Sequence, residues 1–98
     1  MITHSVFFRL KHAEGSAEEK AFIEKAMALS KISTVRNFQF VHEISPKNNF
    51  RFGLIMQFED QSGYTHYNEH PDHTAFVEQV WIPQVAEFIE IDYLSESH

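Results

Sequence analysis

The chain has 98 residues, of which 43% are hydrophobic and ten are phenylalanine, enough for one well-packed domain over residues 1–98 and too few for a second. A formal charge of −6 with neutral histidines, and no cluster of Lys or Arg, argues against nucleic acid or an anionic membrane surface as partner. The absence of cysteine removes disulfides, thiolate nucleophiles and cysteine-ligated metal centres, and no span has transmembrane length or the form of a signal peptide, so a cytoplasmic protein is expected.

Residues Ile2 to Lys11 alternate, with Ile2, His4, Val6, Phe8 and Leu10 on one face, which predicts a strand buried on that side. His4 falls on the apolar face. Burial there costs free energy unless its ring nitrogens find partners, so it reads either as a hydrogen-bonded core histidine or as a site group. Ser16-Ala17-Glu18-Glu19 fits a capping box, and Phe22, Ala26 and Leu29, with Ile23 and Met27 alongside, give a helix to about Ser30 one apolar stripe. Alternation returns from Val35 to Ile44, with Phe38, Phe40, His42 and Ile44 on one face, and again from Phe50 to Phe58. The turn formers Ser45-Pro46-Lys47-Asn48-Asn49 between them predict a hairpin.

Glu59-Asp60-Gln61-Ser62 offers helix-start residues, and a short helix carries Tyr64 through Glu69 toward Pro71. Pro71 disfavours helical backbone at His70 and suits the first position of a new helix, which makes His70 an N-cap and puts His73 in the first turn. That next helix holds Phe76, Val77 and Val80 inward until Trp81-Ile82-Pro83 interrupts or ends it. Phe88 to Leu94 is then the last strand. The order β-α-β-β-α-β has as its usual solution a ferredoxin-like, four-stranded antiparallel sheet with helices on one face. Phe7, Val41 and Ile55 lie opposite the main apolar stripes, so the second sheet face is only partly polar, and a homodimer is the economical way to cover it.

Chemistry is concentrated in Tyr67-Asn68-Glu69-His70-Pro71-Asp72-His73, which gathers a phenol and two imidazoles around a proline. The positive end of a helix, aided by burial, favours neutral imidazole at His73, the form required of a general base near pH 7. The plainer alternative is a capping arrangement that only fixes a loop. His66, His70 and His73 have the i, i+4, i+7 spacing of a three-histidine metal face, but a helix break at Pro71 separates them, so no metal is expected.

With these elements in place, the chain resembles the stress-responsive dimeric alpha/beta-barrel (Dabb) family. The resemblance rests on the opening strand Ile2 to Lys11, the Tyr67 to His73 segment, and the close from Phe88 through Asp92-Tyr93. It implies a dimer whose two sheets form a barrel with helices outside. The family includes plant stress proteins, many bacterial proteins without an assigned reaction, and a polyketide cyclase, olivetolic acid cyclase. Carried over residue by residue, the cyclase's catalytic histidine falls on His73, its assisting tyrosine on Tyr67 and its N-terminal strand histidine on His4.

The implied function is binding or transforming a small apolar carbonyl compound by cyclase- or lyase-type acid–base chemistry at His73, Tyr67 and His4, with neither metal nor cofactor. The alternatives are a non-catalytic stress-related or assembly protein acting through its dimer surface, and a monooxygenase-like member of the wider superfamily. An open apolar cavity shared by the three residues favours the first.

Overall fold

A computed structural model describes residues 1–96. Strand β1 (Ile2–Leu10) runs through the middle of a four-stranded antiparallel sheet of order β2-β3-β1-β4. Its neighbours are β3 (Phe52–Phe58), with Ile2 opposite Phe58, and β4 (Val85–Leu94), with Ile2 opposite Leu94. Strand β2 (Arg36–His42) pairs with β3 as the outer arm of a hairpin. This is the ferredoxin-like arrangement expected from the order of elements.

Helix α1 (Ala17–Met27) starts where the capping pattern places it: the Glu19 amide donates to Ser16 Oγ at 3.2 Å. The return bond differs from the usual box, because Glu19 Oε1 accepts from the Gly15 amide instead. Glu19 is thereby buried and also pairs with Arg51 at 3.4 Å. The helix tightens into a 3-10 turn (Ala28–Lys31), which ends it near the expected Ser30. Met27 faces solvent and is not part of the inner stripe.

The core lies between the helices and the even-numbered face of β1. Phe8, Phe22 and Phe52 are fully buried, with ring centroids 5.5 Å (Phe8 to Phe22) and 5.9 Å (Phe8 to Phe52) apart, and Trp81 packs on Phe8 at 5.0 Å. Each such side chain contributes about 1.5–3 kcal/mol of transfer free energy, so this aromatic cluster is the main cohesive element. The alternation predicts a strand that continues to Ile44 on the face of Phe38 and Phe40, but the strand stops at His42 and Ile44 is 91% exposed. A bulge between Arg36 and Gln39, with Asn37 at φ 51°, resets the register before the strand reaches its regular run.

Helix α2 (Gln61–Glu69) is capped by Asp60, whose Oδ1 accepts from the Gly63 amide at 3.0 Å. Helix α3 (Pro71–Phe76) begins anew at Pro71, as expected, with His70 as its N-cap: His70 Nδ1 accepts from the Asp72 amide at 3.0 Å. The helical path then widens into a π turn (Val77–Trp81) and closes with one turn of α4 (Ile82–Gln84). Pro83 explains the widening. It lacks the N–H that an ordinary helix would donate to the carbonyl four residues back, and its ring crowds that carbonyl. Strand β4 then starts at Val85, three residues before the expected Phe88. Among the described residues, no helix is long and apolar enough to cross a membrane.

Candidate functional site

The site is built from β1, β4 and the two helices on either side of Pro71. Tyr64 and Tyr67 are one helical turn apart on α2 and both turn inward, where Tyr64 stacks on Phe58 with ring centroids 4.8 Å apart. His73, at the third position of α3, faces back across the break, and its ring centroid lies 4.4 Å from that of Tyr67. His4 comes up from β1 and lies 6.2 Å from Tyr67, centroid to centroid. These three residues share a cavity of about 300 Å³, lined mainly by apolar side chains that include Leu29, Met56 and Trp81.

The hydrogen bonds assign the tautomers. A carbonyl can only accept, so His73 Nδ1, 3.1 Å from the Asn68 carbonyl oxygen, carries the proton, and the lone pair of the neutral ring is at Nε2. His4 is held through the same nitrogen: its Nδ1–H donates to Asp92 Oδ1 at 2.6 Å. The hydroxyl of Tyr64 lies 2.9 Å from the same His4 nitrogen and donates to Asp92 Oδ2 at 2.7 Å. His4 is therefore both a satisfied core histidine and a wall of the cavity, and the two sequence readings of it are compatible.

Burial pushes the His73 pKa below its ordinary value, and the nearby His4 works in the same direction, while the bond to Asn68 and the negative charge of Glu90 oppose it. The Tyr67 pKa is pushed up, first by burial and then by Glu90, so its hydroxyl stays protonated near neutral pH. Tyr64 is raised as well, by burial first and by its bond to Asp92 second. No hydrogen-bond partner of the Tyr67 hydroxyl is found among the described residues. It is not a buried orphan either, so the group opens on the cavity.

His66 and His70 belong elsewhere. His66 is exposed on α2, and His70 has its Nδ1 engaged as a cap, so the three-histidine face is divided at Pro71. Three further residues of the site were missed in the sequence: Tyr64, Asp92 and Glu90. Tyr64 was signalled by its three-residue spacing from Tyr67. Asp92 and Glu90 become visible only once β4 is laid beside β1, where Asp92 pairs with His4 and Glu90 with Val6.

With this geometry in view, the profile of the stress responsive A/B barrel domain, Dabb, matches residues 2–95. The chain belongs to this family. A Dabb protein from Mesorhizobium loti with a ferredoxin-like fold is 49% identical over 98% of this chain and 97% of its own, with a TM-score of 0.95. A dimeric ferredoxin-like protein of unknown function from Thermobifida fusca is 21% identical, covers 94% of this chain and 88% of its own, and has a TM-score of 0.77. Hydroxynitrile lyase from Passiflora edulis is 15% identical over 99% of this chain and 95% of its own, with a TM-score of 0.85. At these identities the likeness to the last two is one of fold alone. No curated protein sequence matches the chain.

The depressed pKa of His73 has a measurable consequence. In an NMR pH titration its ring should show a midpoint below the reference value of about 6.5, with the proton of the neutral form on Nδ1. A midpoint above pH 7 would contradict the site as described.

Proposed function

We propose that this Dabb protein binds a small apolar carbonyl compound in the cavity and moves a proton at the carbon beside the carbonyl, in the manner of a cyclase or lyase. One observation carries the reading: a neutral imidazole with its Nε2 lone pair free and a protonated phenol face the same small apolar space. His73 Nε2 takes the proton from the α-carbon. The electrons of that C–H bond form the enolate, and the Tyr67 hydroxyl donates a hydrogen bond to its oxygen. His4, oriented by Asp92 and Tyr64, is the second imidazole of the site and holds or returns a proton at its own Nε2. The roles are complementary because the surroundings keep the base unprotonated and the donor protonated at the same pH.

The test is hydrogen–deuterium exchange at the α-carbons of benzylacetone in D₂O, followed by NMR. The wild-type protein should accelerate exchange, and His73→Gln should lower the accelerated rate by about 10²–10⁴-fold, the usual contribution of a positioned base. Tyr67→Phe should reduce it as well. Exchange indifferent to His73→Gln, in a protein that remains folded, would refute the assignment.

A second observation supports function as a homodimer. The open face of the sheet carries Phe7, Ile55, Ile89, Ile91 and Tyr93, and the last three are 44%, 50% and 48% exposed. Gly53 fits this surface, because a Cβ there would stand 2.6 Å from Cε1 of Phe7 and displace the ring that lies across it. A second copy presenting the same apolar face is the natural cover, and the assembly reading of the family would act through it. Sedimentation should find a dimer at micromolar concentration, converted to monomer by Ile91→Lys. A wild-type monomer would exclude this assembly.

A further inference from the structure

The cavity has one charged wall that the acid–base reading does not use. Glu90 stands opposite Val6 in the β1–β4 pairing, two residues before Asp92, so it leaves β4 on the same helix-facing side as Phe88 and Asp92. It lines the cavity together with His4, Tyr67 and His73. Glu90 itself is exposed, which places its carboxylate at the mouth, where the edge strand β4 is left partly uncovered. Among the described residues, no Lys, Arg or His nitrogen lies within ion-pairing distance of that carboxylate. The lining contains no Lys or Arg at all. A second carboxylate, Asp92, sits directly behind His4.

We infer that Glu90 sets the charge class of the ligand: the cavity accepts a small apolar compound that is neutral or bears an amine, and refuses one that bears a carboxylate or phosphate. An anion entering this space would leave water for an apolar wall, approach a carboxylate of like sign, and find no cation to pair with. An ammonium group at the mouth has the opposite experience. It meets Glu90 and the aromatic edge formed by Trp81 and Phe88, whose ring centroids are 5.5 Å apart. The influence of Glu90 reaches the polar end of the cavity, since after burial its charge is the next cause acting on the Tyr67 phenol. This inference rests on the cavity being a binding site for a carbonyl compound, and it narrows that class to compounds without an acid group.

The test uses three probes of one skeleton, namely benzylacetone, phenylpropylamine and phenylpropionate, titrated by NMR into the wild-type protein and into Glu90→Gln. Relative to the ketone in the same protein, phenylpropionate should bind wild type at least about tenfold more weakly, with the amine no weaker than the ketone. In Glu90→Gln the anion should gain about five- to tenfold against the ketone and the amine should lose a similar factor, as expected for one partly solvated charge near the ligand. If the ketone binds but the charge series is flat, or does not change in the variant, Glu90 does not set the charge class and the inference falls alone. If none of the three probes binds, the cavity is not a site for small carbonyl compounds, and the inference falls together with the reading it rests on.

Discussion

A histidine on the inner face of the central strand is tolerable only if its polar atoms are satisfied, and the bond from His4 to Asp92 is what satisfies it. That single contact joins residues 88 apart in sequence and secures β4 to β1 at the level of the cavity. Tyr64 adds a third element, because its hydroxyl reaches both partners and its ring is fixed on Phe58. The polar cluster would be costly in an apolar core if any member were unpaired. Its mutual hydrogen bonds make it the polar floor of the cavity, which His4 lines.

The space above that floor lies where the helical layer is broken twice. At Pro71 the chain leaves α2, turns through the His70 cap and starts again, which lets His73 face back toward Tyr67. At Val77–Trp81 the turn widens under the constraint of Pro83, and Val77, Trp81 and Ile82 line the cavity wall there. An unbroken helix would pack its side chains down on the sheet and fill this volume. Two prolines that disturb regular hydrogen bonding therefore shape a cavity with both a polar end and an apolar wall. Low polarity near His73 then favours the uncharged ring, so one feature of the fold supplies both room and chemistry.

Much of this was readable in the sequence because it depends on local periodicity. The alternation of Ile2 to Leu10 and of Phe52 to Phe58, the capping pattern at Ser16, and the restart at Pro71 each follow from contacts within a few residues. Tyr67, His73 and His4 could be singled out for the same reason. Asp92 and Glu90 could not, since their meaning depends on the register between the first and last strands, and an edge strand with a mixed pattern does not declare which face is inward. The early start of β4 and the exposure of Ile44 also lie beyond local pattern: the first follows from the helical turn that Pro83 permits, the second from a strand that ends before its alternation does.

On the account proposed, the apolar cavity positions a carbonyl compound between a donor and a base, and a crystal structure with benzylacetone bound tests this most directly. The predicted result is a carbonyl oxygen at hydrogen-bond distance, about 2.7–3.0 Å, from the Tyr67 hydroxyl, with an α-carbon within about 3.5 Å of His73 Nε2. A ligand seated elsewhere on the molecule, or bound in the cavity with its carbonyl turned away from Tyr67 and toward the apolar wall, would contradict it.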